Sequence, residues 1–165
     1  MPRQSSLVRE SIIAGALGAV AVAVWFLILD VINGRIFFTP AALGSAFFYQ
    51  ATGVDQVRIN ATTVIGYSVI HIVAFMIVGF LAARLMMGAD REPRVLLGAG
   101  VAFMVMEIAT LSFLMLLATW LLDALSIWTV LVANVIAAGV MGYYLYRQHP
   151  QVREHLRTNL EERDL

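Results

Sequence analysis

Four long apolar runs dominate the chain, at about 11–32, 62–85, 95–122 and 127–146. A helix needs about 20 mostly apolar residues to cross a bilayer core of about 30 Å, whereas a strand needs about half as many. Each run is too long for a strand, and none has a proline in its interior. They predict four spanning helices. Flanking residues agree: Asn60 can cap the second run, since its short side chain accepts a bond from a free first-turn amide. Pro93 precedes the third, where a missing N–H costs little. Ser126 is placed to cap the fourth. Only Asp123 to Ser126 separate the last two runs, which predicts antiparallel neighbours.

The longest connection, 33–59, is not uniformly polar. Phe37 to Tyr49 is apolar and aromatic, Thr39-Pro40 reads as a helix start, and Gly53 as a stop. This segment is too short to span a bilayer. It predicts a short helix that lies in the outer interface or dips into it, with its aromatics at headgroup depth. After Pro150 the chain turns polar. Val152, Leu156 and Leu160 recur every four residues, and Arg157 can pair with Glu161, which predicts a short amphipathic tail over 150–165. The chain therefore divides into a four-helix domain, 1–149, and that tail.

Composition sharpens the membrane reading. Hydrophobic residues make up 61% of the chain and charged residues 13%, against roughly 25% charged in soluble domains. A chain of 165 residues cannot hide that much apolar side chain without lipid or a partner. The formal net charge is zero, so no basic face points to nucleic acid. No cysteine is present, which excludes disulfides, thiolate nucleophiles and Cys-ligated metal. All eleven cations are arginine. Nine of them (Arg3, Arg9, Arg84, Arg91, Arg94, Arg147, Arg153, Arg157, Arg163) fall on one side of the four runs, and Arg35 and Arg58 on the other. Basic residues stay inside, so both chain ends are expected in the cytoplasm. Ala21-Val22-Ala23 resembles a signal-peptide cleavage site, but it lies inside a run that continues through Leu29. Signal cores are shorter, so an uncleaved helix is expected.

Ionisable residues are costly in lipid and mark candidate sites. The chemistry concentrates on His71, Glu107 and Asn134, one per helix. At a helical rise of about 1.5 Å per residue, His71 lies about 13 Å and Asn134 about 10 Å from the outer surface. On the same measure Glu107 lies about 18 Å from the inner surface, hence about 12 Å from the outer one. All three share one layer. His71 shares a helix face with Tyr67, Ser68 and Ala74, and Asn134 one with Ala138 and Gly142. We expect an inward-facing network in which Glu107 pairs with His71 and Asn134 completes it. Such a network is interhelical glue, or it handles a proton or ion, or it grips a lipid or quinone headgroup. His71 is separately a candidate ligand for a metal or pigment, but one His and one Glu fall short of the three or four ligands of most metal sites. His149 and His155 lie in the tail, so no second histidine is available for a bis-His haem.

Other features are weaker. Asp30 can pair with Arg35, although solvation at a helix end is the simpler role for both Asp30 and Asp123. Gly15, Ala19 and Ala23 form a small-residue seam that permits close helix packing. Trp120 and Trp128 lie where interfacial belts form, and Trp25 deeper. There is no phosphate-binding loop, no His-Glu-x-x-His and no Gly-x-Ser-x-Gly.

Several short motifs run through the chain: Trp25-Phe26-Leu27 with Asp30, Gly34-Arg35, Thr39-Pro40 with Leu43-Gly44, Asn134 with Ala137-Ala138, Met141-Gly142, and Arg147-Gln148-His149-Pro150. In these the chain resembles a group of uncharacterised bacterial four-helix inner-membrane proteins. The resemblance implies a multi-pass protein of the bacterial inner membrane and no particular activity. The expected architecture is all-α: four antiparallel transmembrane helices, N-in/C-in, with a short outer interfacial helix. The expected function is a non-enzymatic accessory or structural subunit of a larger respiratory or photosynthetic complex, partnered by other subunits or by copies of itself in the bilayer. A small transporter or proton-linked channel using Glu107 and His71 is the first alternative. An enzyme acting on a lipid or quinone is the second.

Overall fold

The structure is a computed structural model that describes the backbone of residues 2–92, 94–117 and 119–154, and the side chains of these except 2–6 and Leu96. Six α-helices follow in order: α1 Pro2–Ile32, α2 Phe38–Tyr49, α3 Ala61–Ala89, α4 Val95–Leu117, α5 Trp120–Leu125 and α6 Ile127–Gln148. A 3-10 turn, Val54–Gln56, joins α2 to α3, and no strand occurs among the described residues. Four segments are long and apolar enough to cross a membrane: Leu7–Ile32, Ala61–Ala89, Leu97–Leu117 and Ile127–Gln148. The 22 residues of α6 reach about 33 Å, which matches a bilayer core.

The ends of these helices have local causes. Gly34 adopts a left-handed φ of 67° just past α1. Its amide bonds the Val31 carbonyl at 3.0 Å, and the Arg35 amide bonds the Asp30 carbonyl at 2.8 Å. That pair of bonds is a Schellman stop, which glycine enters without a Cβ penalty. At the start of α3, Asn60 Oδ1 accepts from the Thr63 amide at 3.0 Å while Thr63 Oγ1 accepts from the Asn60 amide at 3.2 Å. This is the cap expected from the sequence, made reciprocal by Thr63. Ser126 differs. It stands at the N-cap of α6 with φ 60°, but its side chain makes no capping bond. Instead its carbonyl accepts from Thr129 Oγ1 at 2.8 Å.

Over the third apolar run the structure describes two helices, α4 to Leu117 and α5 from Trp120 after a turn residue at Thr119, with Ala118 outside the described residues; α5 carries Leu121 and Leu125 into the core. The helix over α2 begins one residue before Thr39-Pro40 and stops at Tyr49, not at Gly53. There Gln50 turns left-handed and the Ala51 amide bonds Ser45 O at 3.2 Å. Within the tail, 150–154 is helical and Val152 is buried. Leu156, Leu160, Arg157 and Glu161, and likewise Pro93, lie outside the described residues.

Packing is uneven. The most extensive contacts are α1 with α3, then α1 with α6. A Cβ on Gly15 would lie 2.5 Å from the Phe75 carbonyl oxygen, and one on Gly79 2.6 Å from the Gly15 amide nitrogen. The α1 and α3 backbones touch there, as small residues permit. Of the predicted seam, Gly15 and Ala19 are buried and Ala23 is exposed. By contrast α4 meets α3 and α6 along one stripe, and Leu97, Val101, Met104, Val105 and Ile108 are exposed. The short helix α2 is sunk into the end of the bundle. Phe38, Ala42, Leu43 and Ala46 form one core cluster with Leu114, Leu121, Leu125 and Val130, while Phe47, Phe48 and Tyr49 stay exposed. The first part of α1, the end of α3 and the end of α6 meet at the opposite end.

Candidate functional site

Polar side chains collect at three heights. At mid-height, Asn134 Nδ2 donates to Glu107 Oε2 at 3.1 Å, joining α6 to α4. Glu107 is 8% exposed, and its second oxygen, Oε1, is buried without any donor. A buried polar atom left unpaired costs about 1–3 kcal/mol, more when charged.

His71 does not join that pair. Its Nε2 lies 3.1 Å from the Ala19 carbonyl of α1, and its ring sits between Tyr67 (6.2 Å between centroids) and Phe75 (4.8 Å). The expected Glu107–His71 contact is therefore replaced by two separate ones: Glu107 with Asn134, and His71 with the α1 backbone. The cause is the close approach of α1 to α3, which claims the face carrying Tyr67, His71 and Phe75. The His71 nitrogen on Ala19 is already committed to that bond. No group of three or more His, Asp or Glu residues able to hold a metal occurs among the described residues. The seam expected beside Asn134 is also unused within the chain, because Ala138 is exposed and a Cβ on Gly142 would meet nothing.

At the end bearing α2, Asp30 is buried and not solvated. Its Oδ2 accepts from the Thr39 amide and its Oδ1 from Thr39 Oγ1, both at 2.8 Å. It caps the sunken helix in place of both the solvated role and the alternative pairing with Arg35, whose guanidinium lies 4.0 Å over the Phe38 ring. Asp123 is exposed, in keeping with solvation. Ser45, fully buried, accepts from the Arg58 amide at 2.9 Å, and Trp120 Nε1 donates to Ala51 O at 2.8 Å. Deeper in the bundle, Trp25 Nε1 donates to Thr129 O at 3.1 Å. The bonds made by Asp30, Ser45 and Trp120 tie α2 and the chain that leaves it to α1, α5 and the 51–58 connection.

The third group went unseen in the sequence. His149, 6% exposed, lies between two carboxylates: Asp90 Oδ2 at 2.5 Å from Nδ1, and Glu10 Oε2 at 3.1 Å from Nε2. A neutral imidazole donates from one nitrogen only, so this arrangement takes either a doubly protonated ring or a proton shared by one carboxyl. The three residues come from α1, from the cap after α3 and from the cap after α6. The signal was present in the topology: with four spans, positions 10, 90 and 149 all fall at the same end. Beside them opens a cleft of about 380 Å³, lined by Leu7, Arg84, Met87, Gly88, Asp90, Arg91, His149 and Gln151. A second cleft, of about 330 Å³, lies at the other end between Tyr49 and Arg58. Neither is lined by His71, Glu107 or Asn134.

Compared with known protein families, curated proteins and solved structures, the chain matches none.

Proposed function

We propose that the protein is a multi-pass protein of a bacterial inner membrane, with both ends cytoplasmic, that serves as a non-catalytic subunit of a larger membrane assembly. The orientation rests on the nine-to-two division of arginines. The subunit reading rests on one observation above others: Glu107 is buried at mid-height, yet Oε1 has no donor among the described residues. The halves of α4 and α6 nearer His149 also leave open space that a neighbouring helix can fill. A Cβ on Gly98 or Gly100 of α4, or on Gly139 or Gly142 of α6, would meet nothing within 4 Å. In membranes such residues let helices approach closely. The assembly contains other subunits or further copies of this chain.

The test is gentle extraction from the native membrane, with identification of co-purifying proteins by mass spectrometry and an absorbance spectrum. A stoichiometric partner that is lost in Glu107→Leu supports the reading. A lone, colourless monomer whose partners never exceed background overturns it.

The same free oxygen favours a second reading, in which Glu107 carries a proton or cation across. His71 is turned to α1, so this reading runs through Glu107 and Asn134 alone. Reconstituted vesicles decide it: proton or cation flux abolished in Glu107→Gln, with folding unchanged, supports transport, and unaltered flux sinks it.

A further inference from the structure

The cleft at the end bearing His149 combines two properties that nothing in the subunit reading uses. Its walls are amphipathic. Leu7 and Met87 supply an apolar side at the edge of the spanning segments Leu7–Ile32 and Ala61–Ala89. Arg84 and Arg91 supply two guanidinium groups, and among the described residues neither forms an ion pair with a carboxylate; Arg84 rests 5.9 Å over the Phe80 ring. The one acid in the lining, Asp90, is engaged by His149 through Oδ2, while its Oδ1 is buried without a hydrogen-bond partner among the described residues. The lining therefore presents free cationic donors beside an apolar wall, in a volume of about 380 Å³, within the range of small-ligand sites.

We propose that this cleft binds the headgroup of an anionic phospholipid. Arg84 and Arg91 hold the phosphate, and Leu7 and Met87 lie along the first methylenes of an acyl chain. Guanidinium forks match phosphate oxygens in pairs, which makes them stronger partners than point charges. Basic pockets between spanning helices on the cytoplasmic side are where anionic headgroups collect. The inference rests on the membrane reading and its orientation, and is independent of whether the protein is a subunit or a transporter.

The experiment uses the full chain in detergent micelles, titrated with phosphatidylglycerol, phosphatidylcholine or inorganic phosphate and read by native mass spectrometry. One phosphatidylglycerol per chain is expected to be retained at least tenfold better than phosphatidylcholine. Retention should fall about tenfold in the Arg84→Gln, Arg91→Gln double variant, as expected for loss of charge-assisted bonds. Arg84→Lys should fall between, because it keeps the charge and loses the fork. Arg94→Gln, at the same end but outside the cleft lining, should bind like the parent. All three side chains substituted, Arg84, Arg91 and Arg94, are exposed, and circular dichroism checks that the helices persist. Equal retention of the two lipids overturns the proposal. So does an unchanged double variant, or an equal loss in Arg94→Gln. Saturation by inorganic phosphate with no lipid preference replaces the lipid with a soluble phosphate compound. Carbonate washing of native membranes separates the failures: a chain released by it ends the membrane reading as well, and a chain retained leaves that reading standing.

Discussion

Replacing His149 by alanine tests whether the clamp at the end of the bundle holds three helices together. The imidazole stands between Glu10 and Asp90, and the variant leaves two carboxylates facing a small void with no donor. Stranding a buried ionic partner costs about 3–5 kcal/mol when burial is complete. Here the side chains of Glu10 and Asp90 are 15% and 23% exposed, so water reaches them in part and screens the loss. We expect about 2–3 kcal/mol, read as the shift in an unfolding curve of the protein in mixed micelles followed by circular dichroism. The sign of the interaction provides the sharper check. If the cost is abandoned charge, then Glu10→Gln with Asp90→Asn should recover most of it in the His149→Ala background, since neutral amides tolerate the void better than carboxylates. A loss below about 0.5 kcal/mol, which is the range of ordinary surface changes, would refute the clamp. So would a triple variant no more stable than His149→Ala.

Three further outcomes are expected in the same assay. Gly79→Ala should cost about 1–3 kcal/mol, because its new methyl would collide with the α1 backbone at Ser11 and Gly15, while Gly139→Ala, which faces open space, should be neutral or gain up to about 1 kcal/mol in helix propensity. Equal effects at the two sites would contradict the packing described. Asp30→Ala should cost about 1–2 kcal/mol and free α2 for proteolysis between Phe37 and Gln50, with Asp30→Asn milder, since the amide oxygen still accepts from Thr39. Gly44→Ala should loosen the same helix, because a Cβ there would run into the Thr63 carbonyl, and unchanged protease resistance would show that α2 is not held against α3.

The four long helices were legible because each is apolar nearly all round, so length alone reveals them. Relative height along the bundle was legible because rise per residue is fixed, and Glu107 and Asn134 do meet. What counting could not supply is azimuth. His71 lies in the right layer, but the direction it faces depends on which neighbour α3 chooses, and that was decided by Gly15 and Gly79 allowing α1 to approach. An apolar helix carries no polar face to mark its orientation. Asp30 failed for a related reason: at a helix end, an aspartate read in isolation is a solvated charge, and only the return of Thr39 over it makes it a cap. The separate helix α5 was hidden because Trp120-Leu121-Leu122 keeps the run apolar.

The unevenness of the packing bears on function more than any single residue. Seams on α1 and α3 are consumed inside the chain, and Gly79 has no room for even a methyl. The small residues Gly98 and Gly100 of α4 and Gly139 and Gly142 of α6 are not consumed, and all four lie between the Asn134–Glu107 bond and the end bearing His149. An interhelical bond in a membrane is worth under about 1 kcal/mol on average. On the proposed membrane reading, the Asn134–Glu107 bond therefore cannot by itself fix α4 against the bundle. Lipid would solvate Leu97, Val101 and Met104 as well as another helix would, so on that reading their exposure does not distinguish a partner from lipid. A carboxylate oxygen without a donor is different, because lipid cannot satisfy it. Whatever completes Glu107, whether a partner's side chain or a proton in transit, must arrive beside α4, and that is the least firmly held of the four long helices.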